Sequence, residues 1–168
     1  ILRPARSRIE KRPADVNGDG AVTIADAVAL QKYLLGSGTY DGGFYYAIDA
    51  GYTQGIEEST NAGFKDAAYL NLDNVNGSYV EFRVYAAKSG SYTGTLRTAN
   101  GSDANRIMNL SVNGGASQSI DFNSTGAWTT WSDTKLTLTL QAGMNTIRLT
   151  SGTEQGGPNI DYLAIIPT

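Results

Sequence analysis

"KLTLTLQAGMNTIRLTS", residues 135–151, decides the fold class. Leu136, Leu138 and Leu140 alternate with threonines, the pattern breaks at "AGMN", and it resumes with Ile147 and Leu149. A period of two puts every second side chain on one face, so the stretch reads as a β-hairpin with one buried face. Further out, "SYVEFRVYAA" (78–87) sets Val80, Phe82 and Val84 on one side and Tyr79, Glu81, Arg83 and Tyr85 on the other. "GSYTGTLRTAN" (90–100), "RIMNLSVNGG" (106–115), "SQSIDF" (117–122) and "NIDYLAII" (159–166) read as further strands between glycine- and asparagine-rich turns. About eight to ten short strands at this spacing predict a mainly β fold, an antiparallel, jelly-roll-like sandwich.

Composition agrees. The 168 residues include 20 glycines and 10 tyrosines, only 17% are charged, and cysteine and histidine are both absent. Without cysteine there is no disulfide framework and no thiol nucleophile; without histidine the commonest general base is missing. No apolar run reaches the 18 or so residues of a membrane span, so no membrane partner is expected. No signal peptide is visible, and the opening at Ile1 is what an internal piece of a longer chain would show. Residues 1–13 hold five basic side chains against Glu10, a net of +4, which leaves −7 for the remainder of a chain whose total is −3. The basic arm reads as a solvated connector and not as a nucleic-acid contact.

The period changes near residue 40. "DAVALQKYLL" (26–35) has apolar residues at helical spacing, and Gly36 and Gly38 stop that helix before the connector "GSGTYDGG". The expected division is 1–38 for the loop-and-helix piece and 44–168 for the sandwich. The loop itself, "DVNGDGAVTIAD" (15–26), has the chemistry of a calcium site. Calcium takes six to eight hard oxygen ligands, and a twelve-residue loop supplies them at fixed positions. Here these are Asp15, Asn17, Asp19, the Ala21 carbonyl, Thr23 directly or through water, and Asp26 at the closing position. Gly20 permits the sharp turn.

"DVNGDGAVTIADAVALQKYLLG" resembles a dockerin repeat over its full length, including aspartate at the closing position. Dockerins carry two such repeats and fix secreted enzymes to cohesins in cellulosome-type complexes. One repeat is present here, preceded by "ILRPARSRIEKRPA", which looks like the end of a first repeat's helix plus a linker. The resemblance implies calcium as cofactor, a cohesin partner for the complete module, selected in part at Ile24 and Ala25, and an extracellular setting.

The remainder resembles carbohydrate-binding modules of families 35 and 6. "AGFKDAAYLNLDN", "GSYVEFRVYAAKSGSYTGTLRTANG", "LSVNGG", "STGAWTTW", "LTLQAGMNTIRLTSG" and "GGPNIDYLAI" follow in the family order, from about Tyr46 to Ile166. The resemblance implies a sandwich that binds plant cell-wall polysaccharide, of mannan, galactan, xylan or uronic-acid type, at loops gathered at one end. Trp128 matches the aromatic platform and Asn159 a hydrogen-bonding amide. Glu57 or Glu58, an aromatic at Phe64 or Tyr69, and Arg97, Asn100 and the loop "GSDANR" (101–106) complete the implied site. By parity Trp128 falls with Leu136 and Leu138, toward the core, whereas "STGA" before it argues for a loop end. Trp131 has the opposite parity and is the substitute platform. These families also hold a structural calcium between a Glu-Ala-Glu strand and a late aspartate. Asp161 keeps the late position, but Tyr46, Ala47 and Ile48 stand where the strand would be, with Asp49 one position away.

Two rival classes are an enzyme and a structural spacer. Acid pairs such as Glu57 with Asp133, or Asp103 with Glu154, have the residue types for glycosidic chemistry, but no catalytic motif surrounds them. A net −7 on the sandwich side repels long polyanions at a distance. The expected reading is a non-catalytic binding module.

Overall fold

The computed structural model describes residues 23–28, 43–65 and 67–168. Eleven strands run among them: β1 (Gly43–Tyr46), β2 (Gly51–Thr53), β3 (Gly55–Glu58), β4 (Tyr69–Leu72), β5 (Tyr79–Ala86), β6 (Gly90–Ala99), β7 (Met108–Val112), β8 (Gln118–Ile120), β9 (Ser132–Leu140), β10 (Gly143–Ser151) and β11 (Asn159–Pro167). They form two antiparallel sheets. One has the order β3-β4-β11-β6-β9, with β1 also on β11; the other has the order β2-β5-β10-β7-β8.

The alternation predicted the buried set. Val80, Phe82 and Val84 of β5, Leu136, Leu138 and Leu140 of β9, and Ile147 and Leu149 of β10 all lie in one core between the sheets. Each Leu, Val or Phe buried there contributes about 1.5–3 kcal/mol relative to an exposed side chain.

The hairpin reading of residues 135–151 needs correction. β9 and β10 lie in different sheets: β9 pairs with β6, and β10 pairs with β5 and β7. Both stretches bury one face, as the alternation demands, but they bury it against each other across the core instead of side by side. The buried Asn145 carries the short link. Its Oδ1 accepts the Gln141 N–H at 2.9 Å, and its Nδ2 donates to the carbonyls of Gln141 and Gly143 at 2.8 and 3.0 Å. A side-chain amide thus satisfies the backbone groups that a hairpin ladder would have paired.

The loops differ at the two ends. At one end the sheets are joined by the segments 73–78, 100–107, 121–131 and 152–158; at the other only 87–89, 113–117 and 141–142 intervene between strands. The long segments gather at the N-terminal ends of β5, β7, β9 and β11. That is where a pocket has walls.

Residues 24–28 form a helical turn. The Thr23 Oγ1 accepts the Ala25 N–H at 3.2 Å, while the Asp26 carboxylate accepts the Thr23 N–H at 2.6 Å. This reciprocal pair is a capping box, which satisfies donors that a helix start leaves open. The rest of the predicted helix, and Asp15, Asn17, Asp19 and Ala21, lie outside the described residues.

Candidate functional site

A cavity of about 190 Å³ opens at the long-loop end, lined by Asn61, Asn71, Asn74, Arg106, Trp128 and Asn159. Its walls come from the 59–68, 73–78, 100–107 and 121–131 segments and from the first residue of β11.

Trp128 is half-buried in the 121–131 segment, outside any strand, so the loop argument and not the strand parity describes it. Gly101 makes room for it. A Cβ there would stand 2.4 Å from the Trp128 backbone nitrogen and 2.6 Å from the indole ring. The Arg106 guanidinium lies over that ring, 4.9 Å from its centroid, a cation–π arrangement that fixes ring and cation together.

Arg106 is only 8% exposed. Its Nε donates to Ser102 Oγ at 3.2 Å, and its Nη1 donates to Asn74 Oδ1 at 2.8 Å and to the carbonyls of Gly157 and Gln155. Burial lowers its pKa from the ordinary value, but a guanidinium remains charged in proteins. No hydrogen bond reaches Nη2 from the described residues, and this nitrogen belongs to the cavity's single cation. The amides behave similarly. Asn61 and Asn71 give their Nδ2 groups to Tyr69 Oη at 2.7 Å and Glu58 Oε2 at 3.1 Å, and keep their carbonyl oxygens for the cavity. Asn159 is 2% exposed, yet its amide makes no hydrogen bond among the described residues.

The other sequence-predicted residues stand behind or beside this surface. Glu58 accepts from Tyr69 Oη at 3.0 Å as well as from Asn71, so both orient the amides from behind. Glu57 lies on the outer side of β3, 3.3 Å from Tyr52 Oη. Phe64 packs on Tyr69 and Trp131 at 5.4 and 6.4 Å between ring centroids. Trp131 donates its Nε1 to the Ala62 carbonyl at 2.9 Å and so fastens the 59–68 segment. Asn100 is buried, not lining the cavity. Its Nδ2 donates to the carbonyls of Ala104 and Phe122, both at 2.8 Å, and its Oδ1 accepts from Ser102, so it ties the Arg106 loop to the Trp128 loop. The named loop 101–106 does reach the cavity, through Arg106. Asn61, Asn71 and Asn74 were not singled out from sequence, because isolated asparagines near turns are read as turn formers.

Arg97 and Asp161 meet elsewhere, on the outer face of the larger sheet. The strand register slips between Ile160 and Tyr162, so Asp161 is the extra residue of a bulge. Its carboxylate is fully buried. Oδ2 accepts the Lys65 N–H at 3.0 Å and lies 3.4 Å from Arg97 Nε, while Oδ1 has no hydrogen-bond partner. Burial is the main cause that raises the Asp161 pKa to about 6, with the Lys65 N–H and Arg97 pulling the other way.

An aromatic platform ringed by amides, at the loop end of an antiparallel sandwich, defines a carbohydrate-binding module. The profile of "Carbohydrate binding module (family 6)" matches residues 46–167, and that of "Dockerin type I domain" matches residues 8–68. The two matches overlap, and there β1 pairs with β11, β2 with β5 and β3 with β4, which joins residues 43–58 to the sandwich sheets. A family 35 carbohydrate-binding module from Clostridium thermocellum has 43% sequence identity and a TM-score of 0.72, over 76% of this chain and 99% of that one. A structure described as Xyl-CBM35 in complex with a glucuronic acid containing disaccharide shares 34% identity at a TM-score of 0.69, over 74% of this chain and 94% of that one. An exo-beta-D-glucosaminidase of Amycolatopsis orientalis is 40% identical over 77% of this chain, which spans only 13% of that enzyme. The chain belongs to family 35 of the carbohydrate-binding modules, as a non-catalytic binding sandwich preceded by dockerin sequence.

Proposed function

We propose that the sandwich binds the uronic-acid unit of a plant cell-wall glycan. The observation that carries this is the cavity's composition: one indole, one arginine with an unpartnered Nη2, and four asparagines. A pyranose has an apolar face for Trp128 and hydroxyls for the amides of Asn61, Asn71 and Asn159. A sugar carboxylate adds an acceptor for Arg106, and such charge-assisted bonds are about twice as strong as neutral ones. The net negative charge of the module acts at long range and is screened beyond about 8–10 Å, whereas Arg106 acts at contact. A xylan bearing glucuronate fits this pattern, as does the ligand named for the 34%-identical structure. No carboxylate lines the cavity among the described residues, and glycosidic hydrolysis calls for two; binding without cleavage is the reading.

The opening loop, in this reading, holds one calcium ion through Asp15, Asn17, Asp19, the Ala21 carbonyl, Thr23 and Asp26. Dockerin domains bind calcium generally, and the capping box seats Asp26 against Thr23 as a helix start following the loop requires. The complete module would dock on a cohesin outside the cell. The sandwich, starting at Gly43, is the unit that meets the glycan.

Calorimetry separates these roles. The full chain should bind a glucuronic acid containing disaccharide at least tenfold more tightly than its neutral counterpart, with no sugar released. Equal affinity for the two would remove the carboxylate from the proposal. Asp26→Ala should cost orders of magnitude in calcium affinity, because the closing ligand is lost. Unchanged calcium binding in that variant would refute the loop assignment.

A further inference from the structure

The resemblance to families 35 and 6 implied a second calcium, held at Asp161. The donor set does not fit it. Calcium needs six to eight oxygen ligands, and no group of three or more acidic side chains among the described residues is placed to supply them. Tyr46 lies edge-on to Tyr162, with ring centroids 6.2 Å apart. Ile48 is buried, and Asp49 is exposed on the 3₁₀ turn. Above all, a guanidinium stands 3.4 Å from the Asp161 carboxylate. A divalent cation there would meet a fixed positive charge.

Arg97 does three things from that position. Its Nε faces Asp161 on the β11 bulge, its Nη1 lies 3.4 Å from Asp133 Oδ1 on β9, and its Nη2 donates to the Gly63 carbonyl at 3.1 Å. Gly63 has φ +105°, and a Cβ on it would stand 2.7 Å from the Trp131 ring. The 59–68 segment thus lies close over the sheet, gripped at Ala62 by Trp131, at Gly63 by Arg97 and at Lys65 by Asp161. Two residues before that grip sits Asn61, a wall of the cavity.

We infer that Arg97 is a built-in cation: it fastens the 59–68 segment to Asp161 and Asp133, and so positions Asn61 for ligand without a metal at this place. Its planar fork suits the task, because three separate acceptors lie around one guanidinium, whereas a lysine ammonium is a point charge on a flexible stem. The part that concerns Asn61 rests on the sugar-binding reading above; the part that concerns the clasp does not.

The test uses the full chain carrying Asp15→Ala, so that the opening loop's first ligand is absent. Both tryptophans lie in the sandwich, and their fluorescence follows its melting. In this background the sandwich should melt within about 1 °C in EDTA and in millimolar calcium, and Arg97→Gln should lower the melting temperature by about 5 °C or more. A calcium-induced rise of that size in the parent would overturn the inference. So would a melting temperature that Arg97→Gln leaves unchanged. Adding Asp161→Asn to Arg97→Gln should recover part of the loss, since a neutral pair leaves no buried charge unpaired; purely additive losses would refute a charge role. For positioning, Arg97→Lys should restore much of the melting temperature yet bind the acidic disaccharide several-fold more weakly than the parent. Equal affinity would remove Asn61 from the inference. If the parent binds no glycan at all, the sugar reading fails and the melting data still decide the clasp.

Discussion

Two arginines near one end of the sandwich have opposite fates. Arg97 and Arg106 each sit beside a loop, and each makes several contacts to neighbouring chain segments. Arg97 has all three guanidinium nitrogens turned to the protein: Asp161, Asp133 and the Gly63 carbonyl. Arg106 turns Nε and Nη1 to Ser102, Asn74 and two carbonyls, but among the described residues nothing takes Nη2. The difference lies in the company. Arg97 has two carboxylates within 3.4 Å, which neutralise it. Arg106 has only neutral acceptors and an indole face, so its charge stays uncompensated and available. A neutralised arginine is structure, whereas an uncompensated one in a cavity is a binding group.

That contrast can be broken most sharply at Arg106. Arg106→Gln removes the cation and leaves a shorter amide that cannot span Ser102, Asn74 and Gly157 together. Affinity for an acidic disaccharide should fall about 100-fold or more, since a charged hydrogen bond and the packing over Trp128 go together, each about 1–3 kcal/mol. Affinity for a neutral sugar should fall less. If both fall equally, Arg106 works by holding the loops and its charge is incidental. Arg97→Gln should show the reverse ordering, with a larger effect on melting than on binding.

Gly101→Ala sharpens the same comparison without touching either charge. Its Cβ would collide with the Trp128 backbone and ring at 2.4 and 2.6 Å, so the indole must move, and with it the surface under Arg106. Binding should weaken about tenfold, the scale of a partly lost aromatic contact. Melting of the core strands should change little, because Trp128 lies in a loop and is not among the buried core residues. Unchanged binding would mean the platform lies elsewhere, with Trp131 the next candidate.

The strands were legible because burial writes itself into a period of two. Val80, Phe82 and Val84 could be assigned to the core from spacing alone, and they are there. The pairing was not legible. "KLTLTLQAGMNTIRLTS" has the same alternation whether its halves pair side by side or face each other across the core, and only the Asn145 amide bonds distinguish the two. The cavity shows the same limit. Trp128 and Asn159 were found through resemblance, and they do share a wall. Arg97 and Asn100 were grouped with them by sequence proximity, but β6 carries Arg97 to the outer face and Asn100 turns inward to bridge two loops. Asn61, Asn71 and Asn74 come from separate segments with no common period, so nothing in the chain order brings them together.

The smallest effect concerns the acid that neutralises Arg97. Asp161 has a folded pKa of about 6 against an ordinary value of 3.8, because burial penalises its charge more than Lys65 and Arg97 favour it, with Asp133 adding to the penalty. The folded state therefore holds this proton more tightly than the unfolded chain does. The stabilisation that results is complete below about pH 3.8 and is lost as pH rises through about 6. Between pH 5 and pH 7 the loss is on the order of 1 kcal/mol, or a few degrees of melting temperature. Asp161→Asn carries no such proton, so the other titrating groups cancel when variant and parent are compared. The melting gap should move in the variant's favour from pH 5 to pH 7. A gap that moves the other way would mean that Arg97 stabilises the ionised carboxylate beyond its burial cost, and the clasp would then be an ion pair in full and not a partly compensated one.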